Sequence, residues 1–271
     1  MKTKLSRFAV PYVVWMAIFV VAPIVIMVIY AFSNGEGGAT LDNFVQMGGY
    51  AAVFGRSFKL ALIATAICLL LGYPVAYLLS REGERFRRTA MVLIMLPMWM
   101  NFLLRTYAWM GLLSVNGPVN TLLGFIGLGP YTMLNTSGAV VLGMVYNYLP
   151  YMILPLYGVI VKIDSRLIEA AEDLGCNGVQ TFRRVVLPLS VPGILSGMTM
   201  VFVPAVSTFY ISQKMGSPST VLIGDVIERQ FKQGNNPNLG AALSIVLMLL
   251  VFVCTGIMNR FGGDDEGSVM V

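Results

Sequence analysis

Six long apolar stretches alternate with short polar ones along the chain, at roughly residues 8–32, 58–79, 90–113, 138–161, 192–212 and 240–258. Each comes close to the ~20 residues that carry a helix across a hydrocarbon core of ~30 Å. Between them lie a Gly-rich loop (33–57), a basic loop (80–89), a Gly/Pro/Asn loop (114–137), a polar interval (162–191), a longer loop (213–239) and a short acidic tail. No internal repeat interrupts this order, and no linker is long enough to separate a soluble domain. The pattern predicts an all-α integral membrane protein with six transmembrane helices in a single domain, 1–271.

The polar interval 162–191 is the one that carries helical signals of its own. Asp164 or Ser165 can cap a first short helix, since either side-chain oxygen can accept an orphan first-turn N–H. Leu167, Ala171 and Leu174 then recur at helical spacing, and Gly175 supplies a left-handed stop. A second short helix is expected to start after Asn177 and to end before Pro188. Arg183 and Arg184 would fall in its last turn, where the helix dipole favours cations. A helix–Gly–helix elbow on the water side of a membrane protein is suited to docking a partner.

Composition agrees with a membrane setting. Hydrophobic residues make up 57% of the 271 and charged ones 11%, against about 25% charged in a soluble domain. The net charge of +5 is spread over short loops rather than one stripe, which argues against nucleic acid. The absence of histidine excludes a zinc site and a histidine-based triad of the usual kinds, and Cys68, Cys176 and Cys254 have neither disulfide nor metal spacing. No Gly-Lys dipeptide supports a phosphate-binding loop. The basic start (Lys2, Lys4, Arg7) runs into an apolar segment of ~25 residues without a small-residue cleavage site, which implies an uncleaved first span.

Orientation follows from lysine and arginine. With the N-terminus in the cytoplasm, Lys2, Lys4, Arg7, Arg81, Arg85, Arg87, Arg88, Lys162, Arg166, Arg183, Arg184 and Arg260 lie inside, whereas Arg56, Lys59, Lys214, Arg229 and Lys232 lie outside. This imbalance predicts both termini, and the elbow, on the cytoplasmic side. None of the thirteen acidic residues then falls at membrane depth. A carrier coupled to protons or sodium usually keeps an intramembrane carboxylate or a half-helix ion site, so energy is expected to come from a partner. Pro23, Gly72 with Pro74, Pro97, Pro150 with Pro155, and Pro204 interrupt spans. Each is either a kink packed against a neighbour or part of a path-lining helix.

The elbow also carries a motif. Glu169-Ala170-Ala171, three residues, Gly175, nine residues, then Val185-Val186-Leu187-Pro188 resembles the EAA loop of bacterial ABC importer permeases, with Val185 in place of the usual Ile. Leu70–Arg81, Leu96–Leu113, Phe202–Ser212 and Val221–Phe231 are similar to stretches of spermidine/putrescine importer permeases, in particular the B-type subunit. The resemblance implies a type I ABC importer permease fold and a multi-pass place in the bacterial cytoplasmic membrane. It further implies a second homologous permease, a homodimeric ABC ATPase that holds ATP and Mg, and an extracytoplasmic polyamine-binding protein. This chain itself would bind no cofactor or metal and would not be an enzyme. Glu169, Ala170, Ala171, Gly175, Leu187 and Pro188 would form the ATPase-coupling loop. Alternatives are an importer permease for another small solute, and a self-contained channel or secondary carrier.

A polyamine substrate would be recognised by carboxylates and, through cation–π attraction, by aromatic faces. Candidate path residues are Trp99, Tyr107 and Trp109 on the third span, Tyr146, Tyr148 and Tyr151 on the fourth, and Phe209 and Tyr210 on the fifth. Each could equally be an interfacial or packing aromatic. Asp225 and Glu228 lie in a short amphipathic helix outside, either as collectors of the cation or on its solvated face. Arg105 is the odd charge of the third span. A bare cation would repel a polyamine, so it is expected to snorkel outward or to pair with an acidic group of either permease, in a structural role near the outer gate.

Overall fold

A computed structural model describes residues 10–34, 38–232 and 236–260, the side chain of Asn259 excepted. Twelve helices follow one another among them. They are α1 (Val10–Ala31), α2 (Asp42–Arg81), α3 (Glu84–Trp99), α4 (Phe102–Leu113), α5 (Pro118–Phe125), α6 (Ser137–Ile160), α7 (Ser165–Asp173), α8 (Gly178–Leu189), α9 (Val191–Ser207), α10 (Tyr210–Met215), α11 (Ile223–Lys232) and α12 (Pro237–Arg260). An isolated bridge between Ser33 and Ala39 is the only β pairing among the described residues.

Four helices, α1, α2, α6 and α12, are long and apolar enough to cross a membrane. Bent pairs raise the number to as many as six, by length and composition. The predicted third span is broken. α3 ends at Trp99, the chain turns at Met100–Asn101, and α3 meets the run Phe102–Phe125 at 92°. Asn101 explains the restart, because its side chain accepts the N–H groups of Leu103 (2.8 Å) and Leu104 (3.4 Å) and so caps α4. The fifth span is broken as well, with α9 stopping at Ser207 and α10 beginning at Tyr210. The second predicted span is the C-terminal half of the longer helix α2. The second helix of the elbow does not end before Pro188 but runs through it to Leu189, and meets α9 at 64°.

At two prolines the helix widens. The wide turns Ala17–Val21 and Phe182–Val186 each contain the residue four before a proline, Pro23 or Pro188. There the pyrrolidine ring would otherwise strike the i−4 carbonyl.

The chain divides into two compact units, Met1–Ala52 with Val226–Val251, and Val53–Asp225 with Phe252–Val271. In the first, Ala31, Ala241, Ala242 and Ile245 form an apolar cluster with Phe44 against it. Small side chains permit that close helix approach where lipid supplies no hydrophobic drive. Asn43 donates to the carbonyls of Ala31 (2.9 Å) and Ser33 (3.0 Å), satisfying the end of α1. In the second unit the main seam joins α6 and α9. Gly193 and Gly197, four residues apart, present a flat strip to Pro155, Val159 and Met152. Met152 is fully buried and also packs against Gly72 of α2.

Candidate functional site

The elbow is built from local motifs that close on themselves. Asp164 caps α7 by accepting the N–H of Arg166 at 3.0 Å. At the far end, the N–H of Gly175 reaches the Glu172 carbonyl (2.9 Å) and that of Cys176 reaches the Ala171 carbonyl (3.0 Å). This is the Schellman pattern, which needs a left-handed residue, and Gly175 has φ +84°. Nothing lies within 4 Å of a Cβ placed there, so the demand for glycine is conformational and not steric. Asn177 and Gln180 then form a reciprocal capping box at 2.9 and 3.0 Å that starts α8.

One aromatic side chain, within the nine residues that follow Gly175, anchors the elbow. Phe182 packs edge-on between Tyr73 and Tyr77 of α2, with centroids 5.5 and 5.4 Å away. The Tyr73 hydroxyl and Ser190 Oγ share a hydrogen bond of 2.7 Å. Arg81 covers the Tyr77 ring at 5.1 Å and donates to its hydroxyl at 3.0 Å. Phe182 was not singled out by the sequence, although Tyr73 and Tyr77, four residues apart on one helix face, offered a signal. A cleft of about 280 Å³ lined by Tyr77, Arg81, Ser165 and Ile168, and another of about 320 Å³ lined by Glu84, Arg87 and Arg88, adjoin the elbow.

What the elbow presents outward is mixed in character. Ala171 is buried, Glu169, Ala170 and Pro188 are exposed, and Leu187 is half-buried. Leu167 does not turn inward with Ala171 but is exposed, and Leu174 at the apex is 86% exposed, with Val179 at 76% beside it. An acidic side chain flanked by bare aliphatic ones, on a backbone tied at both turns, is a surface suited to being gripped.

The candidate path residues separate into distinct places. Tyr107 of α4 and Tyr210 of α10 come together, their rings 6.4 Å apart at 83°, with Phe102 6.0 Å from Tyr210. Lys214 joins them, its ammonium 5.6 and 5.8 Å from the two tyrosine centroids. Trp109 and Tyr146 pair with each other at 5.3 Å instead. They line an apolar groove of about 710 Å³ with Leu60, Ile63, Ile67 and Val141, and none of its lining residues is charged. Tyr148 is buried, its hydroxyl reaching the Pro204 carbonyl at 3.4 Å, with Tyr151 6.5 Å away. Trp99 is exposed where α3 ends, and Phe209 is partly exposed at the break before α10.

One expectation about charge is corrected, for Asp225, and one is narrowed, for Arg105. Arg105 neither snorkels outward nor pairs with a carboxylate among the described residues. It is 8% exposed, its Nε and Nη1 have no hydrogen-bond acceptor, and its guanidinium lies 5.8 Å from the Phe102 ring. The short helix α4 begins only three residues earlier, at the Asn101 cap, so Arg105 belongs to a packed restart rather than to the end of a straight span. Asp225 is not on a solvated face. It is 2% exposed, and its Oδ2 accepts the N–H of Leu222 at 2.8 Å, capping the start of α11. Its neighbourhood is stapled to α2, where Ser57 Oγ accepts the N–H of Ile223 at 2.8 Å and Arg56 donates to the Ser219 carbonyl. A Cβ at Gly224 would come within 2.6 Å of the carbonyls of Ser207 and Thr208, so this turn sits directly on the break after α9. Glu228 forms a salt bridge with Lys232 at 2.6 Å. Among the described residues, no cluster of three or more His, Cys, Asp or Glu could hold a metal.

Residues 69–262 match the family model described as binding-protein-dependent transport system inner membrane component. The chain is 41% identical over 253 residues to the spermidine/putrescine transport system permease protein PotB of Haemophilus influenzae, covering 88% of each. It is 38% identical over 247 residues to the protein of that name from Escherichia coli, covering 88% of this chain and 90% of that one. Its fold is similar to a chain of a bacterial ABC transporter involved in import of the acidic polysaccharide alginate, with TM-score 0.76 and 21% identity over 95% and 94% of the two chains. A chain of the methionine ABC transporter MetNI in an inward-facing conformation gives TM-score 0.61 and 17% identity over 80% and 96%. The broken third and fifth spans, the elbow and these matches together place the chain in the family of binding-protein-dependent transport system inner membrane components, beside the PotB permeases.

Proposed function

We propose that this chain is the permease subunit of an ATP-driven importer that carries spermidine and putrescine across the cytoplasmic membrane by alternating access. The observation that carries the coupling half of this reading is the elbow. Its turns are closed by hydrogen bonds, Phe182 ties it to α2, and Glu169, Leu174 and Val179 are turned out. A rigid lever with an unpartnered outer face can pass a motion from a partner into α9, which begins two residues after α8 ends. The substrate class rests on the PotB relatives.

The partners follow from this function. A second permease pairs with this chain, two ATPase subunits grip the two elbows, and an extracytoplasmic protein delivers the polyamine. ATP and Mg reside on the ATPase, and both termini of this chain face the cytoplasm with the elbow. The ATPase supplies the energy, and this chain supplies a path and a mechanical input.

The test uses the whole assembly in sealed vesicles with polyamine-loaded binding protein. Labelled spermidine should accumulate only with ATP on the ATPase side, and unlabelled putrescine should compete. Uptake by the purified chain alone would contradict the ATP-driven assembly. ATP-driven uptake of another solute, indifferent to both polyamines, would contradict the substrate.

A further inference from the structure

Lys214 lies one helical turn beyond Tyr210 on α10, so both side chains share a face. Its ammonium stands 5.6 Å from the Tyr107 centroid and 5.8 Å from that of Tyr210, within the ~6 Å at which a ring quadrupole attracts a cation. No salt bridge joins Lys214 to a carboxylate among the described residues. The partners of this cation are therefore two aromatic faces. Tyr107 is 49% exposed, so the cluster is open on one side and a competing cation can approach it.

The lysine side chain is a primary ammonium on four methylenes. That is also the structure of one arm of putrescine or spermidine. We propose that Tyr107 and Tyr210 form a site for the terminal ammonium of a linear polyamine, and that Lys214 occupies it as a tethered stand-in which the substrate displaces. This rests on the polyamine function proposed above. The rings cannot serve two ammonium groups at full strength, and a tethered group competes at an effective concentration in the millimolar range. Lys214 thus weakens binding and speeds release of the polyamine, and it keeps the aromatic pair covered when no substrate is present. Breaks at Met100–Asn101 and Thr208–Phe209 bound the two short helices that carry the rings, so the pair can open when either helix moves.

The test is equilibrium binding of labelled spermidine to the purified permease–ATPase assembly without the binding protein, alongside uptake in vesicles with it. Lys214→Met and Lys214→Gln should each tighten spermidine binding about fivefold, because a larger fraction of the sites is then free. Lys214→Arg, which keeps a cation on the rings, should stay near the wild-type affinity. Adding Tyr107→Leu to Lys214→Met should abolish the gain. If both neutral variants bind spermidine no tighter than the wild type while wild-type uptake is normal, Lys214 is only a brace between α4 and α10 and the inference is overturned. A wild-type assembly that takes up no spermidine instead overturns the polyamine function itself, independently of Lys214.

Discussion

The elbow and the broken-helix region differ in how their polar groups are satisfied. At the elbow, a Schellman turn at Gly175 and a capping box at Asn177 tie down the backbone, while Leu174 and Val179 are left bare. Within the elbow a buried hydroxyl, Thr181 Oγ1, lacks a partner, whereas beside the break at Met100–Asn101 a charged group does. Arg105 is buried with Nε and Nη1 lacking acceptors. Bare apolar groups beside water call for a partner. Buried polar groups without one cost about 1–3 kcal/mol each and favour any conformation, subunit or water that satisfies them. One region ties its backbone and leaves apolar side chains bare, and the other buries a charge without its full set of acceptors.

The largest expected effect falls on the stiffness of the elbow. Gly175→Val forces a β-branched residue to φ +84°, at a cost of about 1–2 kcal/mol or more, and loosens the turn. Uptake should fall by more than tenfold with normal membrane insertion, and ATP hydrolysis should no longer respond to loaded binding protein. Gly175→Asn, which tolerates the left-handed region, should recover most of both. If Gly175→Val keeps full stimulation of hydrolysis, the rigid-lever half of the contrast fails.

A smaller effect is expected from charge on the outer face. Glu169→Lys removes a charge-assisted contact and places a like charge toward whatever the carboxylate meets. A loss of about tenfold in uptake is expected, matching the ~1.5 kcal/mol of such a contact. The fold of the elbow should be unchanged, because Glu169 is exposed and takes no part in either turn.

Arg105 sharpens the other side of the comparison. Removing a buried cation that lacks acceptors should leave the isolated chain no less stable, or more stable by about 1 kcal/mol. In the assembled importer, Arg105→Met should lower uptake about fivefold if the acceptor is formed there. Thermal unfolding of the purified chain and vesicle uptake separate the two. A large loss of melting temperature in the isolated chain would show that Arg105 is already satisfied there. The smallest effect is expected at Phe182. Phe182→Leu gives up two edge-on aromatic contacts at ~1 kcal/mol each and keeps much of the buried area, so it should lower the melting temperature by only a few degrees.

The sequence revealed the elbow because its determinants are local. Asp164, Gly175 and Asn177 act on backbone groups within a few residues of themselves, and spacing alone exposes that. The breaks in the third and fifth spans were hidden, since hydropathy averages over Asn101 and Thr208 and sees a continuous apolar run. Asp225 was misplaced for a related reason. A charge in a sequence is assigned to water or to a partner, but burial is set by helices distant along the chain. Asp225 is enclosed where α11 packs on the carbonyls after α9. The pairing of Tyr107 with Tyr210, and the lysine over both, likewise depends on two breaks bringing α4 and α10 together.

The most direct test of the central claim is a cross-link from the apex of the elbow. A photoreactive phenylalanine analogue at Leu174, exposed and outside both hydrogen-bonded turns, would be activated in the purified importer with its ATPase and binding protein present. The account predicts an adduct with the ATPase subunit, lost when Glu169→Lys is added. An adduct with the binding protein, or none with the ATPase in an assembly that still imports polyamine, would contradict it.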